Sequence, residues 1–274
     1  MPELKDKTAV ITGAGRGIGK RLAIAFAQEG AKIGLVARTL PELHLTQLEI
    51  THAGGASMVA PANVAESREV EQAIDAVRRR FGPIDILVCA AGIQGPIGPT
   101  VSADPLVWAE ALRVNLLGVF HCCQAVLPEM IARRSGKIIN LSGGGAASVR
   151  PFFSGYAAAK AGLVRFTETL AEEVAPQNIQ VNAMAPGATY THMTDQILTA
   201  GEDIAGEKAI QEARSARLTG GVPPELQIAL ALFLVSPRSN HISGKLISVH
   251  DDWKRLERTT TIPDHLTLRR VTKQ

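Results

Sequence analysis

A strand-length apolar run, Thr8 to Ile11, leads without a linker into the turn Thr12-Gly13-Ala14-Gly15-Arg16-Gly17-Ile18-Gly19, which opens an amphipathic stretch, Gly17 to Glu29, closed by Gly30. Glycines let the backbone turn tightly and approach a ligand closely, while the free amides at a helix start attract an anion. A glycine-rich turn alone says little. Placed after a first strand and before a helix, it indicates a cradle for the diphosphate of a dinucleotide. Gly13, Gly15, Arg16, Gly17, Ile18 and Gly19 are the candidate contacts.

The rest of the chain repeats that unit. Further short apolar runs occur at Ile33 to Ala37, Ser57 to Ala60, Ile84 to Cys89, Lys137 to Leu141, Ile179 to Ala183 and Lys245 to Val249. Helical periodicity fills the intervals, at Glu66 to Phe81, Asp104 to Arg134 and Tyr156 to Val174 among others. This alternation predicts an α/β architecture: a Rossmann-type, doubly wound sheet of about seven parallel strands with helices on both faces. The chain has 274 residues, 46% of them hydrophobic, enough for one substantial core. Residues 1–253 are expected to form a single domain, with 191–222 as a helical insertion suited to a substrate lid and 254–274 as a C-terminal extension.

Charge and composition remove several function classes. The net charge is +3, and residues 254–274 hold six basic residues against Glu257 and Asp264, so the body is near neutral. With aromatics at 4%, a nucleic-acid-binding face is not expected. The three cysteines, Cys89, Cys122 and Cys123, lack disulfide or metal-site spacing, so no metal is expected and a reducing, cytoplasmic setting fits. The N-terminus lacks an apolar signal core and the longest apolar run, Ile228 to Val235, is too short for a bilayer, so no membrane association is expected.

The end of the second strand bears on the nucleotide. An NAD enzyme places a carboxylate there against the ribose hydroxyls, whereas this chain reads Val36-Ala37-Arg38. Arg38, with Arg16 from the glycine turn, suits a 2′-phosphate through charge-assisted bonds, which favours NADP(H) over NAD(H).

Tyr156-Ala157-Ala158-Ala159-Lys160 sets a phenol and an ammonium on one face of a helix. A free phenol titrates near ~10, and a neighbouring cation favours the phenolate, so Tyr156 can act as acid in reduction and as base in oxidation. Taken with Thr12 to Gly19, Cys89-Ala90-Ala91-Gly92, Asn115 and Pro186-Gly187 followed by Thr191, the pair makes the chain resemble the short-chain dehydrogenase/reductase family from about Lys7 to Val249. The resemblance implies the strand order 3-2-1-4-5-6-7. It implies that Lys160 also holds the nicotinamide ribose, that Asn115 supports a water relay to Lys160, and that Thr191 holds the carboxamide. Asn63, Val64, Ala91, Gly92, Pro186, Gly187, Thr189 and Thr191 join the candidate cofactor contacts, and a homotetramer or homodimer is implied.

The chain also departs from that pattern. The family serine, thirteen residues before the tyrosine, is Gly143 here, with Ser142 beside it in Ser142-Gly143-Gly144-Gly145. Either the glycines let Ser142 swing into the role, or the role is vacant at a cost of about 1 to 3 kcal/mol. Asn63-Val64 replaces an Asp-Val pair facing the adenine, and Asn accepts the same hydrogen bond. Cys89-Ala90 replaces two asparagines; a small residue packed at a strand end is favoured over a nucleophile. His250-Asp251-Asp252-Trp253 leads into the extension, with Trp253 placed either over a neighbouring subunit's pocket or in a frayed polar terminus.

The expected activity is NADP(H)-dependent hydride transfer between nicotinamide and a carbonyl or secondary alcohol, with Tyr156, Lys160, Asn115 and Ser142 as catalytic candidates. A nucleotide-binding sensor or scaffold of the same fold is the alternative, and a redox-neutral epimerase a third reading. Ile93, Gln94, Gly145, Phe153, Tyr190, His192, Met193 and the insertion would line a pocket for a small-molecule substrate.

Overall fold

The computed structural model describes residues 2–259, 262–263 and 266–268. Its seven strands are β1 (Thr8–Thr12), β2 (Lys32–Val36), β3 (Ala56–Val59), β4 (Ile86–Cys89), β5 (Gly136–Leu141), β6 (Ile179–Ala185) and β7 (Leu246–Ser248). They form one sheet in the order β3-β2-β1-β4-β5-β6-β7, every neighbouring pair parallel. The β-branched and leucine-rich strands are buried on both faces, as parallel strands under two helical layers must be.

The helices are α1 (Gly17–Gln28), α2 (Leu40–His52), α3 (Ser67–Phe81), α4 (Pro105–Leu112), α5 (Gly118–Arg133), α6 (Ser154–Val174), α7 (His192–Ala200), α8 (Glu202–Ala205), α9 (Glu207–Thr219), α10 (Pro224–Val235) and α11 (Trp253–Leu256). One apolar layer joins α1, α2 and α10 to the sheet through Leu22, Phe26, Leu43, Ile50, Leu230 and Phe233. The opposite layer holds Val70, Ile74 and Val77 of α3, Val126 of α5, and Leu163 and Val164 of α6. The three-to-four spacing of these residues is what made each segment a helix with one wet face.

The helix predicted over Asp104 to Arg134 forms as one helical span, Pro105–Arg133, with a change of winding inside it. Asp104 caps α4, accepting from the amides of Leu106 at 2.7 Å and Val107 at 3.4 Å. A π-turn over Arg113–Leu117 then separates α4 from α5. The span 105–133 is long and apolar enough to cross a membrane, yet Val119, Cys122, Cys123, Val126 and Met130 lie in the core against the sheet.

The C-terminal region corrects one expectation. Trp253 neither reaches towards a neighbouring subunit nor frays; it is buried against Phe233, ring centroids 5.4 Å apart. Leu256 and Leu266 join the same core, and the Leu246 amide donates to the Leu266 carbonyl at 2.8 Å. Their apolar area is better removed from water by α10 than by a second chain. The basic residues Arg269, Arg270 and Lys273 of the extension lie outside the described residues.

Candidate active site

The parallel topology gathers the carboxyl ends of β1, β4 and β5 along one edge. The register pairs Thr12 with both Val36 and Cys89, and Cys89 with Asn140. Such an edge, where the strand order reverses between β1 and β4, is where open α/β sheets bind ligands. The Thr12 hydroxyl oxygen accepts from the amides of Ala90 at 3.0 Å and Ala91 at 3.1 Å, tying the loop after β4 to the glycine turn. That loop passes so close that a Cβ on Gly13, whose φ is 66°, would lie 2.8 Å from the Ala91 nitrogen. A Cβ on Gly19 would overlap the Gly13 carbonyl. No side chain fits at either position, so backbone amides alone line the cradle at the start of α1, which is what a diphosphate requires.

Around this cradle the remaining cofactor candidates fall in place. Ile18 packs on the core, and Arg16 reaches Glu42 at 3.4 Å, an exposed pair of little strength. Arg38 is exposed and makes no ion pair with a described residue. Asn63 holds its own turn, its side-chain oxygen accepting from the Ala65 amide at 3.2 Å, and the Val64 carbonyl bonds to His121 Nδ1 at 2.9 Å. Gly92 lies against Asn115, whose Oδ1 would sit 2.9 Å from a Cβ there. On the far side, Gln227 donates to the Pro186 carbonyl at 2.9 Å and to the Thr189 hydroxyl at 2.6 Å, with Gly187 at φ 72° between them. Thr191 caps α7 in a reciprocal arrangement with Thr194.

Tyr156 and Lys160 project from the first turns of α6 into this edge, one turn apart and both buried. The Lys160 ammonium donates to the Leu141 carbonyl at 2.6 Å and lies 5.7 Å from the Tyr156 ring centre. Burial pulls Lys160 down to about 8, partly opposed by Cys89. Burial pushes the Tyr156 phenol above 10, while the Arg150 guanidinium draws it down. Asn115, in the π-turn and fully buried, accepts from the Ile93 amide at 2.9 Å and donates to the Ile93 carbonyl at 2.8 Å.

The glycine segment shows how the missing serine is accommodated. A Cβ on Gly143 would overlap the Tyr156 hydroxyl and lie 3.1 Å from its Cζ. Tyr156 thus fills the space that a residue-143 side chain would take. The Ser142 amide donates to the Met184 carbonyl at 2.8 Å, and its buried hydroxyl has no partner among the described residues. Cys89, hydrogen-bonded within a buried cluster with Cys122 and Cys123, has its thiol held well above the usual range, unlike a nucleophile.

Residues 191–222 close over the site as α7, α8 and α9. Ile197, Ala205, Ile210 and Ala213 pack on Phe153 and Tyr156, with Met193 beside them. Tyr190 is turned aside, its hydroxyl donating to Asp195 at 2.8 Å, and His192 is exposed, whereas Gln94 is buried. Three positioning residues escaped the sequence reading: Thr12, Gln227 and Thr46. Thr46 is fully buried on α2 and donates to the Ala14 carbonyl at 3.0 Å, bracing the cradle. Thr46 and Gln227 are lone polar residues among the buried positions of apolar helix faces, which was the available signal, whereas Thr12 shares its strand face with Thr8.

Comparison with known proteins agrees with this geometry. Residues 7–201 match the family described as short chain dehydrogenase. A 3-oxoacyl-[acyl-carrier-protein] reductase of Thermotoga maritima is 36% identical over 248 residues, 90% of this chain and 97% of that protein. Levodione reductase superposes with a TM-score of 0.82 at 27% identity, covering 92% of this chain and 99% of the other. A gluconate 5-dehydrogenase from Burkholderia cenocepacia, solved with NADP and tartrate, gives 0.79 at 33% identity over 90% and 94% of the two chains. The chain belongs to the short chain dehydrogenase family and is an oxidoreductase that interconverts carbonyl and alcohol groups with a nicotinamide nucleotide.

Proposed function

We propose that the protein is an NADP(H)-dependent carbonyl reductase in which Tyr156 exchanges the substrate proton. The observation that carries this reading is the buried Tyr156 hydroxyl at the carboxyl edge of the sheet, with Lys160 one helical turn away and the glycine cradle beside it. The nicotinamide supplies or accepts the hydride. Tyr156 protonates the nascent alkoxide in reduction and removes the hydroxyl proton in oxidation. Lys160 holds positive charge behind it, and Asn115 keeps the loop at Ile93 in place beside the relay.

The NADP(H) preference is supported by the uncommitted, exposed Arg38 at the end of β2 and by the NADP in the gluconate 5-dehydrogenase structure. Arg16 and Arg38 would meet the 2′-phosphate, and the Gly13 to Gly19 amides the diphosphate. The lid over Tyr156 is mostly apolar, which suits ketones and hydroxyacyl compounds of small or medium size. The 3-oxoacyl substrate named for the Thermotoga relative falls in that class. Leu117 and Phe120, exposed where the π-turn meets α5, would suit a contact in a homotetramer or homodimer.

The test is NADPH consumption across ketones and 3-oxoacyl thioesters by wild-type and Tyr156→Phe protein. Wild-type turnover with a loss of about 10²- to 10⁴-fold in the variant, at unchanged NADPH affinity, is expected. Equal NADPH binding with no turnover by either protein refutes the reading and favours the sensor alternative.

A further inference from the structure

Gly143 brings no hydroxyl donor to share the substrate oxygen with Tyr156, whose own hydroxyl fills the space a residue-143 side chain would take. Arg150, in the segment between β5 and α6, brings a cation to the Tyr156 ring. Its guanidinium carbon lies 4.1 Å from the Phe153 ring centre and 5.5 Å from that of Tyr156. The side chain runs along the open face of the glycine segment: a Cβ on Gly144 would find Arg150 Cδ and Nη1 at 3.8 Å as its nearest neighbours.

The Arg150 side chain is half-buried and makes no hydrogen bond or ion pair with any described residue, while its carbonyl accepts from the Phe153 amide at 3.3 Å. Burial pulls its own pKa down, while the Tyr156 oxygen and Glu212 of α9 act from a distance to hold the charge. A half-buried guanidinium stacked over two aromatic rings favours negative charge developing beside it. Lys160 spends one of its three donors on the Leu141 carbonyl and lies 5.7 Å from the Tyr156 ring centre, so Arg150 is a second cation beside the phenol. The other elements around Tyr156 carry His192 and Asp195 on α7, Glu202 and Asp203 on α8, and Glu207, Lys208, Glu212, Arg214 and Arg217 on α9. Asp195 is taken by the Tyr190 hydroxyl and Glu202 faces Arg214 at 3.9 Å.

We propose that Arg150 is the cationic positioning residue of this site, holding Tyr156 by its ring and stabilising negative charge at its oxygen in place of the donor absent at residue 143. The inference rests on Tyr156 being the proton donor. It adds to Lys160 a second cation beside that donor, from a residue the family pattern does not supply.

The chain has two tyrosines, Tyr156 and Tyr190, so Tyr190→Phe leaves Tyr156 as the only phenol. In that background, with NADP⁺ bound, the tyrosinate absorbance gives the Tyr156 midpoint without any substrate. Arg150→Met is expected to raise the midpoint by about one pH unit, a tenfold change in the ionisation constant, and Arg150→Lys to restore most of it. The alkaline shift should recur in the pH profile of alcohol oxidation, with kcat for ketone reduction about tenfold lower and KM little changed. Arg150→Gln replaces the Met variant if circular dichroism shows the latter unfolded. A midpoint unmoved or lowered in the neutral variant overturns the proposal, as does a Lys variant that behaves like the neutral one. Because the titration needs no turnover, its failure is distinct from that of the Tyr156 reading, which is decided by Tyr156→Phe.

Discussion

Restoring serine at residue 143 should damage this enzyme. A Cβ on Gly143 would overlap the Tyr156 hydroxyl, with Cζ at 3.1 Å and Cε1 at 3.3 Å. Regaining ordinary contact of ~3.5 Å at the oxygen requires a displacement of roughly 1 Å. Tyr156 cannot yield freely, because its ring is packed among Phe153, Ile197 and Ile210 and flanked by Arg150 and Lys160. Overpacking of this kind costs about 1 to 3 kcal/mol of stability. A reacting group misplaced by ~1 Å costs about 10²-fold in rate, at least as much as the roughly 10- to 100-fold that a new hydrogen bond to the substrate oxygen returns. Gly143→Ser and Gly143→Ala should therefore both lower kcat for ketone reduction, alanine more than serine, with a melting point lower by a few degrees. Steady-state kinetics and thermal unfolding with NADPH present measure both effects. A Gly143→Ser protein as stable as wild type and faster would refute the reasoning, since Tyr156 would then have had room to spare.

Two further outcomes concern charge. Arg38→Asp should lower the ratio of kcat/KM with NADPH to that with NADH by at least about 100-fold, through loss of charge-assisted bonds worth about 1.5 to 3 kcal/mol and added repulsion; an unchanged ratio removes Arg38 from the 2′-phosphate site. Lys160, lowered by burial to about 8 from the ordinary 10.5, makes the apo protein more stable as pH rises from about 8 towards 10.5, where the unfolded chain still binds the proton that the folded one has lost. Comparing wild type with Lys160→Met by urea unfolding at neutral pH and at about pH 10, the difference should move in favour of wild type by an amount on the order of 1 to 3 kcal/mol. A pH-independent difference would mean that the buried amine keeps its ordinary affinity for protons.

The sheet and its order were legible because parallel strands buried on both faces leave uninterrupted apolar runs, and Gly13 and Gly19 mark where backbone meets backbone. Tyr156 and Lys160 were legible because one helical turn fixes their relation. What the sequence hid depends on contacts between distant segments. Nothing local announces that Gln227 reaches Pro186 and Thr189, or that Trp253 folds back on Phe233. The orientation of Ser142 turned on the strand register that gives its amide to Met184. Arg150 reads in sequence as one more surface cation, and only the packing of Phe153 beneath it brings it to the tyrosine.

The π-turn at Arg113–Leu117 has a mechanical consequence. An α-helix advances about 100° per residue, and one wide turn inserts an extra step of rotation into the rod. The segments on either side are thereby clocked differently. Trp108 of α4 is aimed at α6, its indole nitrogen donating to Ser154 at 3.1 Å, while Cys122 and Val126 of α5 are aimed at the sheet. Deleting one residue from the turn would give a better helix and a worse enzyme. The straightened rod would rotate Asn115 away from Ile93 and Trp108 away from the start of the helix that carries Tyr156.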